Sequence, residues 1–283
     1  MVSDASRDLA RYGAVVAESH RPALDPEAVA PEIRDPWSRL LIVESTSSTN
    51  DDLLAAVTTL PSGTVLAAEY QSAGRGRQNR TWTSPARSGL TFSVLLRPTV
   101  PPGQWGWLQL LAGVAVCDAV RDVTTVDAAL KWPNDLVVGD EWAKAGGILS
   151  QSSGDVVVIG IGINVSTTRA ELPVAEAISL ELAGGVPVDR SQLLGATLGH
   201  LGERYSDWLS VGGDAVESFL RADYRARCAT LNRSVVVTPV LGPPYRGLAT
   251  DIDDLGRLLV VREDGGLESI AAADIRHLRQ PTD

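Results

Sequence analysis

From residue 39 onward this 283-residue chain alternates extended and helical signals, but not one for one. That irregularity constrains the fold more than any single residue, because a doubly wound sheet needs a helix after nearly every strand. "LLIV" (40–43) reads as a buried strand. A helix follows it, with Ser48 to Asn50 as cap side chains and Asp51 and Asp52 in its first turn. "TVLAAEY" (64–70) and "LTFSVLLRP" (90–98) read as two strands joined by a loop, the second stopped by Pro98. "QWGWLQLLAGVAVCDAVRDV" (104–123) has helical periodicity but is apolar nearly all round, so it reads as a buried helix. "AALKWPNDLVV" (128–138) is strand, proline turn, strand. "AGGILSQSSGDVVVIGIGINV" (145–165) is a hairpin turning near Ser153-Gly154-Asp155. Helices near 190–210 and 213–228 close the region. The expected class is therefore an α+β body.

The two flanks differ in texture from this body. Residues 1–38 are rich in alanine, proline and acids, with too little apolar periodicity for a domain of their own, and read as an arm with one short helix. Residues 230–279 hold four short extended stretches, "SVVVTPV", "YRGLATDID", "RLLVV" and "LESIA", between glycine and proline turns. They read as a small β-barrel-like module. The body is then 39–229.

Charge excludes some functions. The formal net charge is −10, which argues against wholesale nucleic-acid binding, and the arm has no basic recognition helix. The longest apolar run, 156–165, is too short to span a bilayer, and the N-terminus lacks the apolar core of a signal peptide. Two cysteines, Cys117 and Cys228, lack metal spacing and a disulfide framework, so a reducing cytoplasm is expected.

Against that acidic background, residues 70–117 contain no Asp or Glu but five arginines, at 75, 77, 80, 87 and 97. In "GRGR" the glycines Gly74 and Gly76 let backbone amides approach a ligand, while the Arg75 and Arg77 forks can grip phosphate or carboxylate. A solvated turn would look the same. Only two of the 25 basic residues are lysine, Lys131 and Lys144. In "LKWPNDL" Lys131 could meet phosphate, while Asn134 and Asp135 could hold a hydrated magnesium bridged to it. The alternative is a surface turn satisfying its own backbone. Lys144, before "AGGIL", could neutralise a carboxylate attacking phosphorus, or simply snorkel at the surface. Asn164 in "GIGINV" could pair with an adenine edge, or cap a strand end.

The order of these motifs is more specific than any one of them. STN at 48–50, "EYQSAGRGR…R-W", "KWPND", "K-A-G-G-I-L" and "GIGINV" together resemble the biotin protein ligase family over about 40–279. "RGLATDIDDLGRLLVV" is similar to that family's small SH3-like domain. The resemblance implies a mixed-sheet, class II synthetase-like catalytic domain with a C-terminal SH3-like β-barrel. It implies biotin and ATP as substrates with Mg²⁺, a biotinyl-5′-AMP intermediate, and transfer to a lysine of a biotin carboxyl carrier domain.

By the family pattern Ser48, Thr49, Asn50 and Gln71 would bind biotin, with Ser48, Thr49 and Gln71 on the ureido group. Gly74, Arg75, Gly76 and Arg77 would wrap biotin and phosphates. Arg80 and Trp82 would lie by the nucleotide with Asn134, and Asn164 would meet adenine. Lys144 would bridge the biotin carboxylate and the α-phosphate. Lys131 and Asp135 would hold polyphosphate and magnesium, so Lys144, Arg77 and Lys131 are the expected catalytic set. Asn79 departs from the family's usual glycine. None of the three histidines (His20, His200, His277) falls on a motif, so a Ser-His-Asp reading has no support. Rival readings are lipoate or octanoyl attachment, a biotin-sensing regulator and an inactive binding module. The short acidic arm favours an enzyme alone.

Overall fold

The computed structural model describes residues 21–271 and 273–277, with the side chain of Asn79 left aside. The first twenty residues of the expected arm and residues 278–279 of the C-terminal module lie outside that range.

Helix α1 (Pro26–Val29) is capped by Asp25, whose carboxylate accepts from the Glu27 amide, and proline at its first position costs no hydrogen bond. Strand β1 (Arg39–Val43) leads to α2 (Thr49–Ala55), which Ser48 caps by accepting from the Asp51 amide at 3.4 Å. Strand β2 (Thr64–Ala68) gives way to a two-stranded hairpin of β3 (Gly74–Arg75) and β4 (Thr81–Trp82), then β5 (Gly89–Leu96). Helix α3 (Gly106–Val123) is buried along nearly its whole length. After it come β6 (Ala128–Lys131), β7 (Asp135–Val138), β8 (Ala143–Ser153) and β9 (Val156–Asn164). The helices α4 (Leu180–Gly184), α5 (Arg190–Ser210) and α6 (Leu220–Arg227) follow.

Apart from the β3–β4 hairpin, the body's strands form one mixed seven-stranded sheet in the order β1-β2-β5-β9-β8-β7-β6, with only β1 and β2 parallel. Alternation places Val65, Val94 and Ile159 on the face that carries α3 and the main core. Leu95 and Val158 face the other way, where Leu53 of α2 covers them in a second cluster. Beyond α2 that second face is open, and the cleft lies there.

Two sequence expectations need correction. The helix expected at 213–228 covers only 220–227, because Phe219, directly before it, is left-handed (φ 60°) and breaks helical continuity with the preceding turn. The C-terminal module has five strands, not four: β10 (Arg233–Pro239), β11 (Tyr245–Ile252), β12 (Leu258–Arg262), β13 (Leu267–Ile270) and β14 (Ala273–His277). They form an antiparallel sheet ordered β13-β12-β11-β10-β14, which does not close into a barrel among the described residues. Its inner residues Val235, Val237 and Val260 join the main core. So do Leu24, Val29 and Trp37, and the Trp37 indole donates to the Leu198 carbonyl of α5 at 2.8 Å.

Candidate active site

The large cleft, about 780 Å³, lies on the α2 face of the main sheet and is closed on one side by the C-terminal sheet. Its buried end is a chain of short hydrogen bonds. The Thr49 amide donates to Gln71 Oε1 (2.8 Å), and the Thr49 and Ser93 hydroxyls are 2.6 Å apart. Ser93 donates onward to Asn50 Oδ1 (2.6 Å), while Asn50 Nδ2 donates to Gln151 Oε1 (2.7 Å). Ser48, Thr49 and Asn50 are all nearly fully buried. Burial makes each of these bonds expensive to break, so this end has one geometry.

Glycine makes room for it. A Cβ on Gly160 would sit 2.2 Å from Asn50 Oδ1, and one on Gly162 2.7 Å from the Trp82 ring. A Cβ on Gly74 would sit 2.6 Å from the Trp82 carbonyl. Trp82 can therefore pack closely against Gly162 of β9. Its indole N–H is buried and has no partner among the described residues.

Lys144 owes its place to a β-bulge. Across β7 and β8 the register runs Leu136 to Gly146 but then Val137 to Lys144, leaving Ala145 as the extra residue. Simple alternation would put Lys144 on the core face with Gly146 and Ile148. The bulge turns it to the face of Asp135 and Gly147. There Lys144 Nζ pairs with Asp135 Oδ1 at 2.6 Å. Lys131 stands opposite Asp135 in the β6–β7 register and also lines the cleft.

The arginine loop forms the open end. The β3–β4 hairpin closes through the Gly76 amide and Arg80 carbonyl (2.7 Å) around a turn in which Gln78 is left-handed (φ 55°). Arg75 pairs with Asp51 at 3.0 Å, and Arg80 with Asp274 and Gln78. Arg77 reaches Asn134 Oδ1 (3.3 Å) and the Ala273 carbonyl (3.4 Å). Burial pulls the Arg77 guanidinium pKa down and nearby Asp274 and Asp135 push it back up; guanidinium still stays charged at any ordinary pH. At the far end Asn164 donates to the Ile178 carbonyl (3.1 Å).

Every expected site residue except Gly74 lines this one cleft, and Gly74 supports it from behind through its close approach to Trp82. Sequence reasoning missed Ser93, Gly160 and Gly162, although the glycine alternation in "GIGIN" was a usable signal. It also missed Asp274 and Arg276 of β14, for which no local signal existed. Among the described residues no group of three or more His, Cys, Asp or Glu side chains could hold a metal ion.

Comparison with known proteins gives the same assignment. Residues 42–166 match the biotin/lipoate A/B protein ligase family model, and 230–278 the biotin protein ligase C-terminal domain model. The chain is 37% identical to the biotin–[acetyl-CoA-carboxylase] ligase of Mycobacterium tuberculosis over 268 residues, 92% of this chain and 97% of that protein. The chain belongs to the biotin protein ligase family. Another relative, the bifunctional ligase/repressor BirA of Bacillus subtilis, is 33% identical over 83% of this chain and 71% of its own length. Among solved biotin protein ligases, that of Aquifex aeolicus in complex with biotin and ATP superposes with a TM-score of 0.72 at 28% identity. It covers 86% of this chain and 100% of its own.

Proposed function

We propose that this protein is an ATP-dependent biotin protein ligase acting in two steps in one cleft. A biotin carboxylate oxygen attacks the α-phosphorus of ATP, the bond to the β-phosphate breaks, and pyrophosphate leaves. A neutral lysine amine of a biotin carboxyl carrier domain then attacks the acyl carbon. The bond to AMP breaks and the amine gives up one proton.

The observation that carries this reading is the bulge that turns Lys144 into the cleft between a neutral hydrogen-bonding pocket and an arginine loop. Two anions must meet in the first step. A compact ammonium placed between carboxylate and α-phosphate removes the repulsion that would otherwise raise the barrier. Ser48, Thr49 and Gln71 supply donors and acceptors for the ureido group, with Asn50 bracing them from below. Arg75, Gly76 and Arg77 wrap the biotin chain and phosphates. Arg80, Trp82 and Asn134 border the nucleotide, Asn164 meets adenine, and Lys131 takes the polyphosphate.

Asp135 with Asn134 offers two oxygens, too few for a protein-only metal cage but suited to a Mg²⁺ that arrives on ATP. Such an ion would neutralise the leaving pyrophosphate. We read residues 39–229 as a class II synthetase-like catalytic domain, 230–279 as an SH3-like domain, and 1–38 as an arm. The size and five short antiparallel strands of the C-terminal sheet support the SH3-like reading. Free, buried Cys117 and Cys228 support a cytoplasmic setting, and no described helix is long and apolar enough to cross a membrane.

The test is pyrophosphate release. It should require biotin and ATP together, and lipoate should not replace biotin. Release with ATP alone, or equally with lipoate, would contradict the proposal.

A further inference from the structure

The arginine loop leaves the sheet after Ala68 and rejoins it at Gly89, and both hinges, at Glu69 and Gly89, meet one buried ion pair. Arg190, the first residue of α5, lies 2.7 Å from Glu69 Oε2, with side chains only 6% and 3% exposed. Arg190 also donates to the Gly89 carbonyl (3.2 Å) and to the Pro22 carbonyl (2.5 Å). Glu69 Oε1 accepts from the Leu24 amide (2.5 Å), and the Glu69 carbonyl accepts from the Arg87 amide (2.9 Å). The Asp25 amide donates to Ser191 Oγ (2.9 Å). Arg21 ties the segment to a second wall of the cleft, donating to the Ser166 carbonyl (3.0 Å) and pairing with Glu171 (2.7 Å). Pro173 and Val174, just beyond Glu171, line the cleft.

A buried ion pair contributes little net stability over an apolar pair of the same shape. What it does impose is arrangement, because Arg190 and Glu69 meet each other and their backbone partners only when residues 22–24 and both loop hinges are in place. Neither Glu69 nor Arg190 lines the large cleft. We infer that residues 21–25, Glu69 and Arg190 form a strap fixing the hinges of the arginine loop, so that Glu69 and Arg190 are positioning residues for retention of the acyl-adenylate. The inference rests on the ligase reading.

Two readouts test it in the full-length protein: the dissociation rate of preformed biotinyl-AMP in a chase, and hydrogen exchange of amides 74–82 without ligand. Glu69→Gln keeps an oxygen for the Leu24 amide but removes the charge facing Arg190. Arg21→Ala cuts the outer tie. Arg204→Gln, which breaks the ion pairs to Asp118 and Asp223 away from the cleft, controls for lost stability. Glu69→Gln should release adenylate about tenfold faster, because it removes the buried charge that the Arg190 guanidinium faces. Arg21→Ala should release it about two- to threefold faster. Both should speed exchange at 74–82 and not in α3, while Arg204→Gln should keep the wild-type off-rate whatever its melting temperature. Off-rates that follow melting temperature across all three variants, or unchanged exchange at 74–82, would overturn the strap. A wild type that makes no adenylate would refute the ligase reading instead, and the exchange result would still decide the strap.

Discussion

The two ends of the cleft are built on opposite plans. At the closed end Thr49, Asn50, Gln71 and Ser93 bond one another at 2.6–2.8 Å, and Gly160 leaves them space. At the open end the cations are held by the protein's own acids and carbonyls, Arg75 on Asp51 and Arg80 on Asp274. Lys144, between them, rests on Asp135. The closed end can receive a neutral ring system without rearrangement, which saves ordering entropy on binding. On the proposed reading the open end exchanges partners when phosphates arrive, so its response should depend on ligand and on salt. A neutral ligand thus finds a finished site, and a polyanion finds one that it completes.

That contrast can be broken one end at a time. Lys144→Ala should have the largest effect, slowing adenylate formation by roughly the 3–4 kcal/mol typical of a lost preorganised donor. Given synthetic biotinyl-AMP, the variant should still label carrier far better than it does from biotin and ATP; equal loss in both assays would give Lys144 a general structural role. Gly160→Ala comes next. Its Cβ would collide with Asn50, an overpacking cost of about 1–3 kcal/mol. Calorimetry should find biotin affinity reduced and ATP affinity nearly unchanged, and equal losses would mean the two ends are not independent. Arg77→Gly should make adenylate but release it early, read as a faster off-rate and as biotin on an unrelated lysine-rich protein.

The smallest effect concerns the sheet covering the open end. Burial, with Lys131 and Arg233 nearby, pushes His277 on β14 down to about 4 from its ordinary 6.5. The unfolded chain therefore binds the extra proton first as pH falls through 6.5, and stability declines from there down to about 4. Melting temperatures across that window should fall less steeply for His277→Gln. An unchanged slope would remove His277 from the account.

Much of this site was legible because its chemistry is local. Ser48 caps α2 as its sequence context implies, the "KWPND" turn joins two paired strands, and both lysines reach one cleft. What escaped was whatever depends on distant chain. Asp274 meets Arg80 across 194 residues, and β14 carries no pattern long enough to announce a strand. The Lys144 bulge escaped for another reason, since alternation in "AKAGGIL" assigns that lysine to the core face and only the pairing with β7 turns it round. Part of what ties down the segment after residue 20 is backbone, the groups of Pro22, Leu24 and Asp25, which leave no trace in residue type.

The central claim is that one cleft makes an acyl-adenylate and keeps it until a carrier lysine arrives. The most direct measurement mixes enzyme with biotin and ATP labelled at the α-phosphate, quenches before and after adding carrier domain, and separates the labelled species. Before carrier, label should accumulate as biotinyl-AMP to about one equivalent per active site. After carrier it should pass to AMP as biotin appears on the carrier lysine at the same rate. Label found only as AMP, or biotin reaching carrier with no adenylate ever present, would contradict the account.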